Sequence, residues 1–242
     1  MQTVLLCIHG WGGSRKSFTQ LRAALDERAI KILTPDLPGF GDEPEPARPW
    51  SVDDYADWVE TWTKDRMPAD ARLLLLGHSH GGRIAIKLAL RGTLKIDHLY
   101  LCAAAGIRRP RHFKRIVGLT LAKTGKFFLS IPGFKALAPL GKTLLYKLVR
   151  VHDYEQASPL MRQTMIKVTA EDLHPILPEL ALPVDLFWGK DDRMTPFGDA
   201  LIMQKLISGS QLHAYERVRH AVHRDRAVEI AAVIRKNLHG KA

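Results

Sequence analysis

The sequence of 242 residues is poor in cysteine and has no long uninterrupted apolar run. Only Cys7 and Cys102 occur, each within an apolar stretch, which excludes a disulfide-dense scaffold and favours two buried free thiols. No stretch reaches the roughly 18 uncharged apolar residues that a membrane-spanning helix needs. No signal peptide is recognisable before the first apolar run. Together these features predict a cytoplasmic protein.

Acidic side chains are missing from one part of the chain. Lys and Arg number 36 against 25 Asp and Glu, a formal net charge of +11. Residues 107–150 contain eleven basic side chains and no acidic one, so this segment accounts for the whole net charge. The basic excess suggests an anionic partner. Nucleic acid is not expected, because no recognition motif appears and the rest of the chain is neutral.

Short apolar runs alternate with helix-period stretches along most of the chain, which predicts βαβ units and a mostly parallel sheet flanked by helices. The predicted strands are Val4–Ile8, Lys31–Thr34, Arg72–Leu76, His98–Cys102, Val184–Trp188 and Leu212–Tyr215. The predicted helices are Phe18–Arg28, Val52–Arg66, Gly82–Leu90, Phe197–Ile207 and Arg224–Leu238. Ser51, with Asp54 three residues later, is the predicted cap of the second helix. The alternation stops in a basic, proline-punctuated segment, so we predict a core of residues 1–106 and 178–242 with a helical insertion at 107–177.

A G-x-S-x-G pattern, Gly77-His78-Ser79-His80-Gly81, follows the third predicted strand and precedes a predicted helix. A serine on such a tight strand-to-helix turn needs small neighbours on either side, and its hydroxyl is then presented as a nucleophile. A glycine-rich turn, His9 to Gly13, follows the first strand. The backbone N–H groups of Trp11 and His80 are therefore the candidate donors of an oxyanion hole.

A nucleophilic serine requires a base, and the base requires an orienting carboxylate. In this architecture the chain order is serine, acid, histidine. Two neighbouring carboxylates, Asp191 and Asp192, follow the fifth strand, and His220 and His223 follow the sixth. Both groups lie at carboxyl ends of strands, where an open α/β sheet binds its ligands.

These motifs together resemble the α/β-hydrolase superfamily across essentially the whole chain. In that family the acid commonly lies three residues after a glycine and four before a proline, which selects Asp192 rather than Asp191. The histidine usually opens a stretch leading into the last helix, which selects His220. The resemblance thus implies the triad Ser79, Asp192 and His220 without metal or cofactor, and leaves His223 as a surface or capping residue.

Residues 107–177 resemble the helical cap of the same superfamily, which covers the active site and determines the substrate class. Its basic character suggests an acidic carrier protein or an anionic membrane surface as partner, although a solvated basic face on amphipathic helices is the favoured explanation of the charge. The His9-Gly10-Trp11-Gly12 segment is similar to the oxyanion segment of pimeloyl-carrier-protein methyl esterases.

The predicted function is hydrolysis of a small carboxylic ester or lactone through an acyl-serine intermediate. The same residues would serve a thioester, a carrier-bound ester or a carbon–carbon bond hydrolase. A triad-retaining small-molecule receptor is an alternative of another class, because the fold alone does not determine function.

Overall fold

The structure is a computed structural model that describes residues 2–25, 30–108 and 157–239. Contacts divide the chain into two compact units, one of residues 1–108 with 163–242 and one of residues 109–162. All the predicted site residues belong to the first unit.

In the described part of the chain, six parallel strands form one sheet in the order β2-β1-β3-β4-β5-β6. Their bounds are β1 (Thr3–Ile8), β2 (Lys31–Leu33), β3 (Arg72–His78), β4 (Ile96–Cys102), β5 (Val184–Gly189) and β6 (Gln211–Tyr215). Each predicted strand is confirmed, with ends within two residues. The near-continuous Leu, Val and Ile of β1 and β3 are completely buried, as expected for strands that helices cover on both faces.

The helices pack around this sheet. Their bounds are α1 (Thr19–Ala24), α2 (Val52–Lys64), α3 (His80–Arg91), α4 (Pro159–Ala170), α5 (Phe197–Leu206), α6 (Val222–Asp225) and α7 (Ala227–His239). Two short 3₁₀ helices span Arg15–Phe18 and His174–Glu179. The start of α2 follows the sequence signal closely, because Ser51 Oγ accepts from the Asp54 N–H and the Asp54 carboxylate accepts from the Ser51 N–H.

Three helix predictions were wrong in detail. The first helix ends at Ala24, because Leu25 is extended (φ −100°, ψ 144°); its predicted end at residue 28 lies outside the described residues. The third begins at His80, two residues early, because the chain enters the helix directly after Ser79. The last predicted helix is two helices, since Arg226 (φ −128°, ψ 33°) leaves the helical region between α6 and α7.

Cys7 and Cys102 lie on β1 and β4, which flank β3 on opposite sides. Both thiols are buried and free, as predicted. A strand between them separates the two cysteines by about 9–10 Å, which exceeds the reach of a disulfide. Burial raises the pKa of the Cys7 thiol, which keeps it protonated and unreactive.

Most of the predicted cap, residues 109–156, lies outside the described residues, and its boundaries at 107 and 177 stay a prediction. The chain on the two sides of this segment meets at one point. Leu173 N–H donates to the Gly106 carbonyl (2.8 Å), and Arg108 N–H donates to the Asp172 carboxylate (3.0 Å). Among the described residues, no helix has both the length and the apolar character to cross a bilayer.

Candidate active site

Ser79 lies between β3 and α3 in a backbone conformation that few residues other than glycine adopt, with φ 52° and ψ −114°. Such a conformation costs about 1–3 kcal/mol and persists only where the surroundings enforce it. The Ser79 carbonyl accepts from the N–H groups of Gly82 and Ala105, both at 2.9 Å, and the Ser79 N–H donates to the Cys102 carbonyl at 3.2 Å. The turn is therefore held between α3 and the end of β4.

The glycines of the motif are required by close backbone approach. A Cβ atom at Gly77 would lie 2.5 Å from the Gly81 carbonyl oxygen. At Gly81, it would collide with the Ile8 carbonyl oxygen and lie 2.6 Å from that of His9. Because both spacings are shorter than real Cβ contacts, the chain can make the sharp turn that exposes Ser79 only with glycine at these positions.

The turn after β1 passes directly beside the serine. A Cβ atom at Gly10 would lie 3.0 Å from Ser79 Cβ. His9 holds this turn, because its Nδ1–H donates to the Gly10 carbonyl (2.8 Å) and its Nε2 accepts from the Leu37 N–H (3.0 Å). Burial lowers the pKa of His9, so the ring is neutral and this donor–acceptor pattern is maintained. The turn thus carries Trp11, two residues after His9, to the edge of the sheet where Ser79 lies.

Asp192 and His220 form a direct hydrogen bond. His220 Nδ1–H donates to Asp192 Oδ2 at 2.8 Å, and the Asp192 side chain is fully buried. The other carboxylate oxygen, Oδ1, accepts from the N–H groups of Met194 (2.8 Å) and Thr195 (3.2 Å). Burial alone would raise the pKa of Asp192, but the hydrogen bonds from His220 and Thr195 lower it below the usual value. The carboxylate is therefore charged and holds the imidazole by its Nδ1 side.

Thr195 is a site residue that the sequence interpretation missed. Its Oγ1–H donor lies 2.8 Å from Asp192 Oδ2 and 3.0 Å from the Ala103 carbonyl, and Oγ1 is 3.3 Å from His220 Nδ1. The hydroxyl thus connects the acid to the chain that follows β4. The sequence feature that could have identified Thr195 is its position three residues after Asp192.

The structure separates Asp192 from its neighbour Asp191. Asp191 is exposed, whereas Asp192 points inward with 5% of its surface exposed. The loop after β6 lies against this turn, because Asp191 N–H donates to the Val218 carbonyl at 3.0 Å and a Cβ at Gly189 would collide with the same carbonyl group. This contact brings His220 next to Asp192.

Three histidines cluster near the Ser79 turn. The ring of His78 lies 3.8 Å from that of His223 and 4.9 Å from that of His220, measured between centroids. His78 Nε2–H also donates to the His220 carbonyl at 3.1 Å. Burial, reinforced by the neighbouring histidines, lowers the pKa of His78 well below 6.5 and, together with Arg224, that of His223 to about 3. His78 and His223 therefore pack as neutral rings against the loop that carries His220.

His223 corrects one prediction. It was expected at the surface or as a helix cap, yet only 4% of it is exposed and its ring also packs against Phe18 at 5.5 Å. The reason is that α6 is a separate short helix that turns this side chain inward.

The His80 side chain, next to Ser79 in the chain, lies within an aromatic cluster. Its ring centroid is 5.6 Å from Trp11 and 5.1 Å from Tyr55, both in edge-on geometry, and Trp11 packs in turn on Phe40 at 4.9 Å. Neither ring nitrogen of His80 has a hydrogen-bond partner among the residues that the structure describes. An unsatisfied buried polar group costs about 1–3 kcal/mol, so this arrangement is unfavourable without a partner.

The structure thus gathers the predicted residues Trp11, Ser79, His80, Asp192 and His220 at the carboxyl ends of the strands. Within the described ranges, no hydrogen bond joins the Ser79 hydroxyl to His220, a contact that in enzymes often tightens only with substrate bound. Also within those ranges, no group of three or more His, Cys, Asp or Glu side chains has the geometry of a metal site.

Comparison with known proteins agrees with this architecture. The sequence profile of the α/β-hydrolase fold matches residues 3–227. The chain is 25% identical to Lipase 1 of Psychrobacter immobilis over 229 residues, which cover 89% of this chain and 70% of that one. It is 27% identical to a pimeloyl-[acyl-carrier protein] methyl ester esterase of Neisseria meningitidis, over 96% of this chain and 92% of the relative.

Among solved structures, the chain resembles an esterase from Exiguobacterium antarcticum with a TM-score of 0.72 and 22% identity, covering 98% of this chain and 91% of the other. At that identity the likeness concerns the fold alone. Because the family profile covers nearly the whole sequence, the chain belongs to the α/β-hydrolase family and is a hydrolase whose relatives include esterases and lipases.

Proposed function

We propose that the protein hydrolyses a carboxylic ester or lactone through an acyl-serine intermediate. Ser79 Oγ attacks the ester carbonyl carbon while His220 Nε2 takes the hydroxyl proton. The proton then passes to the leaving alcohol as the carbon–oxygen bond breaks. Water, deprotonated by the same nitrogen, releases the acid and restores the serine.

The Asp192–His220 hydrogen bond is the observation that supports this proposal most directly. Because Nδ1 carries the proton donated to Asp192, Nε2 has the free lone pair that a general base needs. The buried carboxylate also stabilises the imidazolium formed during attack. Thr195 and the two backbone donors keep the carboxylate oriented towards the ring.

The tetrahedral intermediate places negative charge on the former carbonyl oxygen. The backbone N–H groups of Trp11 and His80 are the proposed donors to that oxygen. His80 is the first residue of the α3 helix, so its amide belongs to the positive end of the helix dipole. Gly10, which approaches Ser79 closely, allows the turn that carries Trp11 to reach the same point.

The direct test is replacement of the nucleophile. Ser79→Ala should reduce turnover of p-nitrophenyl acetate and butyrate by at least about 10⁴-fold, because no acyl-enzyme can form. The matched control is Ser208→Ala, an exposed serine on the surface, which should keep wild-type rates. Retention of more than a tenth of the wild-type rate by Ser79→Ala would refute the assignment.

A single-turnover receptor with the same residues is distinguished by stoichiometry. A fluorophosphonate should label wild-type protein once, and peptide mass spectrometry should place the adduct on Ser79. Substrate esters should in addition turn over many times per labelled site. Labelling with release of only one alcohol per protein would favour a receptor over an enzyme.

A carrier-bound ester is the second candidate substrate. It is supported by the 27% identity to a pimeloyl-[acyl-carrier protein] methyl ester esterase and by the eleven basic residues at 107–150. Such a segment would attract an acidic carrier electrostatically.

Charge reversal tests this second candidate. Changing Arg108, Arg109 and Arg111 to Glu should lower kcat/KM for a methyl ester bound to an acyl-carrier protein by about tenfold or more at low salt, with little change for the free methyl ester. The matched control reverses three exposed lysines elsewhere, Lys95, Lys205 and Lys236. Equal losses on both esters would count against a carrier.

A further inference from the structure

His80 contains a buried polar side chain to which no described residue donates or accepts a hydrogen bond. Only 4% of the residue is exposed, and both Nδ1 and Nε2 lack a partner among the described residues. A neutral imidazole always has one N–H donor and one acceptor lone pair, so two interactions remain unmade.

The surrounding groups are already engaged elsewhere. Tyr55 contacts the His80 ring edge-on, but its hydroxyl donates to the Pro38 carbonyl at 3.1 Å. Arg83, one turn further along α3, donates from its guanidinium to the Glu171 carbonyl at 2.8 Å. Trp11 presents its ring to His80 in a T-shaped contact. None of these described neighbours therefore satisfies the His80 nitrogens.

The position of the ring restricts what that partner can be. The side chain belongs to the residue whose backbone amide is the proposed donor to the substrate carbonyl oxygen, and the ring contacts Trp11, the residue that supplies the other donor. A group that reaches the imidazole must therefore be attached within a few bonds of the scissile carbonyl. The aromatic rings on either side favour a short apolar chain around that group.

We propose that His80 is a specificity-determining residue that hydrogen-bonds a hydroxyl or keto group close to the scissile carbonyl, so that the preferred substrates are hydroxyacyl or oxoacyl esters. The inference rests on the proposed ester hydrolysis and deepens it. A hydroxyl matches both functions of the ring, since it can donate to one nitrogen or accept from the other.

The electrostatic state of the ring favours a neutral partner. Burial, together with the charge of Arg83, lowers the pKa of His80 to about 3, so the imidazole carries no charge at neutral pH. A neutral ring within an aromatic cluster offers an incoming carboxylate no opposite charge to offset the loss of its hydration. An uncharged hydroxyl or keto group loses much less hydration free energy on entering the same site. The ring therefore favours an uncharged hydroxyl or keto group over a carboxylate.

The test compares matched esters in the same enzyme. We expect wild type to hydrolyse the p-nitrophenyl ester of racemic 3-hydroxybutyrate with a kcat/KM at least about tenfold above that of the butyrate ester. In His80→Leu this ratio should fall to about one, whereas His80→Gln, which keeps a donor and an acceptor, should retain part of it. Because the readout is a ratio, a general loss of activity cancels.

Tyr55→Phe is the matched control, since it removes a hydroxyl from the same cluster that is already bound to Pro38. Its ratio should stay within about twofold of wild type. A ¹⁵N-histidine NMR experiment on Ser79→Ala provides a second readout, in which the His80 ring nitrogens should shift on addition of methyl 3-hydroxybutyrate and stay in place with methyl butyrate.

The outcomes separate the two proposals. Turnover of both esters with a ratio near one in wild type overturns the role of His80 and leaves ester hydrolysis intact, and it would mean that water alone satisfies the ring. A ratio that survives in His80→Leu also overturns it. Absence of turnover on every ester refutes the proposed function itself, and an unshifted His80 spectrum then refutes the binding role as well.

Discussion

The hydrogen bonds of Asp192 determine what an Asp192→Asn protein would do. Oδ1 accepts from the N–H groups of Met194 and Thr195, so the oxygen of an asparagine amide would occupy that place. Its NH₂ group would then lie at the position of Oδ2, 2.8 Å from His220 Nδ1. Two donors cannot face each other, so Nδ1 must become an acceptor and the proton moves to Nε2.

The expected consequence is the wrong tautomer of the base. A protonated Nε2 cannot accept the Ser79 proton, and the imidazolium loses its neighbouring charge. Carboxylate-to-amide changes of this kind in other serine hydrolases reduce kcat by about 10⁴-fold, and we expect a loss of similar size, equivalent to about 5 kcal/mol of transition-state stabilisation. The fold should persist, because the amide keeps the two backbone donors and the Thr195 hydroxyl can rotate to accept from the NH₂ group.

The assay is steady-state hydrolysis of p-nitrophenyl butyrate, with circular dichroism and thermal melting to verify folding. Asp191→Asn is the matched control, because Asp191 is exposed and adjacent in sequence, and it should stay within about twofold of wild type. If Asp192→Asn kept more than a tenth of the activity, or if Asp191→Asn lost as much, the assignment of the acid and the tautomer reasoning would both be wrong.

Two further predictions concern stability. Gly81→Ala should lower the melting temperature by several degrees or prevent soluble expression, because the added Cβ would collide with the Ile8 carbonyl; an unchanged melting curve would contradict the close approach. Asp185 accepts from His98 Nε2 (2.7 Å) and His213 Nε2 (2.6 Å), and these bonds lower its pKa despite its burial. A carboxyl group whose pKa is lowered by folding stabilises the protein above its unfolded pKa near 4, and this contribution is lost as the pH falls further. Asp185→Asn should therefore have a free energy of unfolding about 2 kcal/mol below that of wild type, measured in urea at pH 6. The difference between the two proteins should become smaller below pH 4. A stability difference that stays the same at all pH values would show that the charge of the Asp185 carboxylate does not contribute to it.

The local patterns of the sequence predicted much of the site. Ser79 could be identified because the strand, the glycines and the helix that position it are contiguous in the chain. Ser51 and Asp54 were recognisable for the same reason, since a capping box spans only four residues. The prediction of His220 and Asp192 needed in addition the chain order and the spacing that this fold imposes.

Contacts between distant segments were beyond prediction. The burial of His223 depends on its packing against His78, more than a hundred residues earlier in the chain. The His80 ring contacts Trp11 and Tyr55, but neither residue forms a hydrogen bond with its nitrogens. These contacts join distant parts of the chain, so no local sequence pattern predicts them. Thr195 became visible as a site residue only once its hydroxyl was placed between Asp192 and the end of β4.

The meeting of Gly106 with Leu173 has a consequence for how members of this fold can diversify. β4 pairs directly with β5, so the sheet is continuous without any contribution from the chain between these strands. Hydrogen bonds near residues 106 and 173 hold the two ends of that intervening chain together. The entropy of closing such a loop rises only logarithmically, by about 0.6 kcal/mol for each doubling of its length. Lengthening, shortening or exchanging this stretch therefore changes the stability of the sheet little. The sheet and the segment between β4 and β5 can therefore vary independently, so one framework tolerates the exchange of a continuous piece of chain at this point.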